Sequence, residues 1–251
     1  MPADQRPLEE TGALVTGASS GIGAATATAL AEEGAAVALA ARREDRLRDL
    51  ADQIDANGGS AVVIPTDVTD RDQVETMVET ATQEVGLDVL VNNAGVMRSA
   101  PLDRADLADL RRMIDVNLFG VMATTREALP SLTADDGGHV VNVSSVAAIR
   151  PESIQPGDAA TKAGVDAFTE ALRKDLVDTD VRVTVVRPGG TQTELGTSIT
   201  DEATIEQLRT MICETTFMDP IDVAASILHA VVQPPYASVN ELMVRPTDQE
   251  W

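Results

Sequence analysis

Cysteine is nearly absent. Cys213 is the only one in 251 residues, which excludes a disulfide framework and a thiolate metal cluster. Histidine is almost as scarce: His139 and His229 are too few and too far apart to suggest a metal site, so metal catalysis is not expected. Lysine occurs only at Lys162 and Lys174, and arginine supplies the rest of the 19 basic residues. Against them stand 41 acidic residues, a formal net charge of −22. Nucleic acid is therefore not an expected partner, because phosphate contacts need clustered Lys and Arg. No apolar run is long enough to span a bilayer, and the opening MPADQRPLEE has no charged stretch followed by an apolar one. The expectation is a soluble, cytoplasmic protein with no membrane partner. Its acids are spread over helix faces (Glu32, Glu33, Asp49, Asp52, Glu75, Glu79) rather than gathered in a tail. Such a hydrated, self-repelling surface reads as an adaptation to a salt-rich cytoplasm, that of a halophile.

What is present is a regular alternation. Apolar runs at Ala13–Val15, Val37–Ala41, Ala61–Pro65, Asp88–Val91, His139–Ser144, Val181–Val186 and Glu241–Val244 predict strands covered on both faces. Helical patterns fall between them: one reaching to about Glu33, then Arg43–Ala56, Thr69–Val85, Asp103–Leu107, Ala108–Leu132 and Ala159–Leu176, and a last one to Val232 capped by Asp219. Strands and helices of these lengths, joined by Gly-rich turns, predict an α/β fold. It would be a doubly wound parallel sheet with helices on both faces, in one domain over residues 1–251. Thr191–Phe217 breaks the rhythm, being polar and threonine-rich, and reads equally as a surface excursion or a substrate lid.

The first strand leads into Gly17, Gly21 and Gly23, spaced G-x-x-x-G-x-G, and then into a helix. Glycines let a backbone approach a pyrophosphate, and the helix end supplies free N–H groups and positive dipole. The second strand ends in Ala40-Ala41-Arg42-Arg43, with no acid to accept a ribose 2′-hydroxyl. Two guanidiniums there suit a 2′-phosphate, favouring NADP over NAD, although Glu44 and Asp45 could instead be their salt partners. The fifth strand ends in Ser145, and Asp158 and Lys162 follow at helical i, i+4 spacing, so a hydroxyl, a carboxylate and an ammonium could meet where open sheets place ligands.

Six motifs stand in order: TGASSGIG at Thr16–Gly23, Asp67-Val68, NNAG at Asn92–Gly95, Asn117 within DVNLFG, Ser145 within NVSS, and Pro188-Gly189. With them the chain resembles the short-chain dehydrogenase/reductase family from about Ala13 to Val244. The resemblance implies a single Rossmann-type domain, with a dinucleotide-binding part over about 11–150 and an active-site and lid part over about 139–218. Ser19, Ser20 and Ile22 would line the phosphate turn, Asp67 and Val68 would contact adenine, and Asn93, Ala94 and Gly95 would run beside the ribose. Asn117 would bend its helix and hold a water in the proton relay. Ser145 would bind the oxygen of a carbonyl or alcohol substrate, and Lys162 the nicotinamide ribose. Pro188, Gly189, Thr191 and Thr193 would border the carboxamide. The resemblance also implies a homotetramer or homodimer built on the helices Asp106–Leu132 and Asp158–Asp178. The C-terminal VNELMVRPTDQ looks similar to members acting on 3-hydroxy acids.

The chain departs from the family at one position. Where the family has Tyr-x-x-x-Lys, this chain reads Asp158-Ala159-Ala160-Thr161-Lys162, and its one tyrosine is the distant Tyr236. A model tyrosine titrates near pH 10 and an aspartate near 3.9. Lys162 is expected to hold Asp158 still more firmly ionised or to be tied up by it as an ion pair. The carboxylate is also shorter by a benzene ring. Cofactor binding is therefore expected to survive and turnover to be low or absent. Three readings follow: a disabled NADP-dependent oxidoreductase, an NADP-binding or regulatory protein on the same fold, and a lyase or isomerase.

Overall fold

The structure, a computed structural model, describes residues 7–134, 137–195 and 216–249. Its frame is a seven-stranded sheet, all parallel, in the order β3-β2-β1-β4-β5-β6-β7. The strands are β1 (Gly12–Thr16), β2 (Ala36–Ala41), β3 (Ser60–Pro65), β4 (Val89–Asn92), β5 (His139–Val143), β6 (Arg182–Pro188) and β7 (Glu241–Val244). The helices are α1 (Gly21–Glu32), α2 (Glu44–Ala56), α3 (Arg71–Val85), α4 (Leu107–Ile114), α5 (Gly120–Leu132), α6 (Pro156–Asp175) and α7 (Pro220–Val231).

The two-residue period of a strand sorts the core into two layers. Ala13, Val15, Val37 and Leu39 point to one face, where α1, α2 and α7 bring Leu30, Leu47 and Ile227. Leu14, Ala38, Leu90 and Val140 point to the other, against Val74 and Met77 of α3, Leu132 of α5 and Leu172 of α6. The strands are therefore apolar on both faces, as continuous apolar runs require. Asp219 caps α7 through a reciprocal box with Asp222, which fixes where that helix starts.

Three local expectations are corrected. Residues 103–107 form no helix of their own; turns occupy the stretch until Asp106 caps α4. The long helix expected over Ala108–Leu132 is interrupted by a wide π-helical turn at Asp115–Phe119. The helix expected from Ala159 starts three residues earlier, at Pro156, because a proline at the first position forfeits no intrahelical bond. Most of the stretch read as a lid, Cys213 included, lies outside the described residues. Its two ends are held together where Gln192 N donates to Met218 O and Met218 N to Gly190 O.

A buried polar ladder crosses the centre. Asn92 Nδ2 on β4 donates to Thr125 Oγ1 of α5 and to Asn142 Oδ1 of β5, both at 2.9 Å. Asn142 Nδ2 donates to Thr169 Oγ1 of α6 at 2.9 Å, and that hydroxyl donates to Val165 O at 2.7 Å. Every side-chain amide proton used here meets an acceptor, so the ladder ties α5 and α6 to the central strands without stranding a donor.

His139, at the start of β5, is buried with Nε2 2.7 Å from Thr184 Oγ1. Thr184 donates its hydroxyl proton to Val239 O, so Nε2 carries the ring proton and Nδ1 is left a bare acceptor without a partner. Burial, and then the charge of Arg182, push the imidazole down to about 3 from 6.5. A histidine depressed in the folded state contributes stability above the unfolded value and loses it as pH falls toward the folded one. Unfolding free energy is thus expected to drop by about 2 kcal/mol between pH 7.5 and pH 5, at roughly 1.36 kcal/mol per pH unit below the unfolded value. Urea titrations of the protein and of His139→Gln at both pH values check this, since the variant should lack that slope.

Candidate active site

The loop after β1 turns sharply because Gly17 and Gly21 take positive φ, 69° and 56°. Residues with a Cβ resist that region. Space is short as well: a Cβ on Gly17 would lie 2.8 Å from Ala94 Cα, and one on Gly21 3.2 Å from Thr193 Cγ2. Gly23 faces inward, where a Cβ would stand 2.4 Å from both Gly17 O and Asn93 Nδ2. Its hydrogen lets α1 pack directly on the loop. No side chain caps α1 at Ser20, so the first-turn N–H groups and the helix dipole are directed at any anion resting on the turn. Asn93 ties the loop after β4 to this turn: its N–H and that of Ala94 donate to Thr16 Oγ1 at 3.0 and 3.1 Å, and its Nδ2 donates to Thr16 O at 3.0 Å.

Ser145 follows β5 and caps the short turn Val146–Ala148, its Oγ accepting from Ala147 N at 3.1 Å. That leaves the hydroxyl proton to be donated elsewhere. Asp158 and Lys162 both lie within α6, as the spacing requires, and are only 4% and 8% exposed. Lys162 Nζ donates to Val143 O at 3.0 Å. Asn117 lies in the π-helical turn and is wholly buried. Its Oδ1 accepts from Val96 N at 2.8 Å, while its Nδ2 stands 2.9 Å from Val96 O, 3.2 Å from Thr161 Oγ1 and 3.4 Å from Asp158 Oδ1. The turn thus links the loop after β4 to the carboxylate of α6.

A cleft of about 1300 Å³ runs along the C-terminal ends of the strands. On its wall stand Gly17, Ser19, Ser20, Gly21 and Ile22 of the first turn, then Arg42 and Arg43, then Asp67 and Val68. Asn93, Ala94 and Gly95 follow, with Ser145, Asp158 and Lys162 beyond them and Pro188, Gly189, Thr191 and Thr193 opposite. Of the residues singled out in the sequence, Gly23 and Asn117 do not line the cleft; each supports a residue that does. Glu194 and Phe217 face it from the two ends of the stretch read as a surface excursion or lid, while Arg150, Glu152, Gln155 and Gln249 also face it and were not anticipated. No sequence signal marks them: Gln249, for example, accepts from Gly190 N across 59 residues.

The charges of the site depart from expectation. Asp158 is not shifted downward by its neighbour on balance. Burial pushes its carboxyl above the usual range, and the opposing pull of Lys162 does not cancel that. Burial likewise lowers the Lys162 ammonium, against the stabilising charges of Asp158 and Asp166. No ion pair joins Asp158 to Lys162 among the described residues; the ammonium bonds the Val143 carbonyl instead. Asp67 behaves oppositely. Against the upward push of its partial burial, hydrogen bonds from Thr69 and the charges of Arg42 and Arg112 bring it below its ordinary value. Arg43 does not pair with Glu44, which binds Arg48; its partner is Glu194, 151 residues away.

Comparison with known proteins places this geometry. Residues 11–204 match the sequence profile of the short chain dehydrogenases. An uncharacterized oxidoreductase of Staphylococcus aureus is 38% identical over 235 residues, 93% of this chain and 96% of that one. The glycine betaine reductase ATRR of Emericella nidulans is 42% identical over 252 residues; 99% of this chain aligns, spanning only 20% of that much longer protein. Among solved structures, an alcohol dehydrogenase from the archaeon Thermococcus sibiricus, complexed with 5-hydroxy-NADP, superposes with a TM-score of 0.86 at 30% identity. That alignment covers 96% of this chain and 98% of the archaeal one. A parallel sheet with a glycine turn after β1, a serine after β5 and a lysine on α6, matched along nearly its whole length by such oxidoreductases, leaves one assignment: the chain belongs to the short-chain dehydrogenase/reductase family.

Proposed function

We propose that the protein is an NADP(H)-dependent oxidoreductase interconverting a ketone and a secondary alcohol, with turnover curtailed by Asp158. The observation that carries this reading is one continuous cleft joining the phosphate turn and Arg42-Arg43 to Ser145, Asp158 and Lys162. The residues fit the cofactor: Gly17 and Gly21 leave room that a Cβ would fill, and the uncapped start of α1 offers donors for a pyrophosphate. The 5-hydroxy-NADP of the archaeal relative supports the same choice. When bound, NADPH supplies the hydride. Arg42 and Arg43 would hold the 2′-phosphate, Asp67 and Val68 the adenine, and Asn93 to Gly95 the ribose side. Pro188, Gly189, Thr191 and Thr193 would border the nicotinamide, and Lys162 its ribose. Ser145 would donate its hydroxyl proton to the substrate oxygen, and Asn117 would hold the position of Asp158.

Asp158 itself stands where a proton must be given or taken. Burial raises its pKa and so favours the proton-bearing form relative to an ordinary aspartate. Reach is a separate obstacle: a carboxyl one carbon from the backbone falls short of an oxygen that a phenol would touch. The competing reading, an NADP-binding or regulatory protein, is favoured by that same residue. Fluorescence titration with NADPH and NADH tests the cofactor reading, with tighter binding of NADPH expected. Failure of NADPH to bind would sink it.

Other features belong to the same proposal. Residues 1–251 would be one domain, working in the cytoplasm. Leu107, Ile114, Phe119 and Met122 on and beside α4 and α5 are exposed and support association of copies as a homodimer or homotetramer. The charge of −22 supports a halophilic setting, in which the thermal midpoint rises toward molar salt; a salt-indifferent melting curve would contradict it.

A further inference from the structure

The two oxygens of Glu194 are divided between two arginines of one helical turn. Arg43 Nη1 donates to Oε2 and Arg46 Nη1 to Oε1, each at 2.6 Å. Arg43 also reaches back to the phosphate turn, with Nη2 2.9 Å from Ser19 Oγ and 2.6 Å from Ser20 Oγ. An anion is thus held between two guanidiniums and beside two hydroxyls, at the mouth of the cleft that Arg43, Ser19, Ser20 and Glu194 line together. This donor set matches what a phosphate monoester takes from a protein, and two oxygens of a carboxylate mimic two of its three. Thr193, the residue before, lies close to the same turn: a Cβ on Gly21 would stand 3.2 Å from its Cγ2.

We propose that Glu194 is a cofactor-discriminating residue, an internal anion that occupies the arginine pair and that the 2′-phosphate of NADP(H) must displace. The inference rests on the NADP reading given above. Hydrogen bonds from Arg43 and then Arg46 hold the Glu194 carboxyl down at about 2, so it is an anion at any working pH. A carboxylate and a phosphate dianion cannot share one pair of guanidiniums, because like charges a few ångströms apart repel and the donors are finite. A cofactor with a free 2′-hydroxyl makes no such demand and leaves the Glu194 pairs in place. Glu194 therefore weakens NADP(H) selectively, narrowing a preference that Arg42 and Arg43 alone would make wide.

The test is Glu194→Gln, which keeps shape and removes charge, with binding measured for NADPH, NADH and 2′,5′-ADP. The last carries the 2′-phosphate without the nicotinamide. NADPH and 2′,5′-ADP are expected to bind about three- to thirtyfold tighter, the range that two half-exposed ion pairs span. NADH affinity is expected to stay within twofold. Unchanged or weaker NADPH binding, or equal tightening for NADH, overturns the competitor role while leaving the NADP reading intact. If neither protein binds NADPH or 2′,5′-ADP, the NADP reading falls and this inference with it. Arg46→Gln provides a second variant: it removes one of the two pairs that hold Glu194 but leaves Arg42 and Arg43 on the cleft wall, so it should weaken 2′,5′-ADP binding less than Arg43→Gln does, whereas an equal loss overturns the competitor role.

Discussion

Asp158→Tyr is expected to raise ketone-reducing turnover by roughly 10²–10⁴-fold, the usual contribution of a positioned general acid. Everything around position 158 supports a phenol there. The side chain lines the same cleft as Ser145. Lys162 stands one turn on, with its ammonium fixed to the Val143 carbonyl and free of an ion pair with Asp158. Asn117 already meets the helix at Thr161 and Asp158. NADPH oxidation over a ketone panel, followed by absorbance for both proteins, checks the expectation. Tight NADPH binding with no turnover in the tyrosine variant would favour the regulatory reading, and product without an absorbance change would point to a lyase or isomerase. The unaltered protein offers a second readout. Any residual reduction should decline as pH rises, because the proton comes from an acid whose neutral form burial favours and alkali removes. Asp158→Asn should abolish both that activity and its pH dependence.

Gly23→Ala is expected to lower the thermal midpoint by about 10 °C and to weaken NADPH binding by more than tenfold. The added carbon would stand 2.4 Å from the Gly17 carbonyl oxygen, a backbone atom that cannot swing aside as a side-chain tip can. Relief requires lifting α1 off the loop or moving the phosphate turn itself. Clashes of this kind belong to the 3–4 kcal/mol class of substitutions, and a chain of this size loses about 2–4 °C per kcal/mol. Calorimetry and NADPH titration of the variant check both parts. Gly58→Ala is the control: it also has positive φ but meets nothing within 4 Å, so its cost should be confined to backbone strain.

The sheet and its ligand edge were legible because the determinants are local. Apolar runs such as Val37–Ala41 stop at glycines or charges, and the turn at Gly17–Gly23 carries its chemistry in contiguous residues. Spacing also placed Asp158 and Lys162 on one helix. It could not tell how deeply that helix is buried, and burial decides the sign of the Asp158 shift. The direction inferred from its neighbour alone was therefore reversed. Residues 103–107 illustrate the opposite limit, since helix-compatible residues form turns when no cap or packing face fixes a helix there. The pairing of Glu194 was invisible for a further reason: its partners, Arg43 and Arg46, approach only when the chain beyond β6 folds over α2. A run of charges in sequence suggests Glu44 and Asp45 as the partners, and tertiary geometry overrides it.

The ladder from Asn92 through Asn142 to Thr169 also limits how this sequence can change over generations. Replacing Asn92 alone by an apolar residue would strand the Asn142 carbonyl oxygen, at a cost of about 1–3 kcal/mol, whereas exchanging both partners for apolar groups of matching shape can be nearly neutral. Single-step drift is therefore closed at these positions and concerted replacement is open. Lineages of this protein should carry the asparagines and threonines as a linked set, inherited or exchanged together.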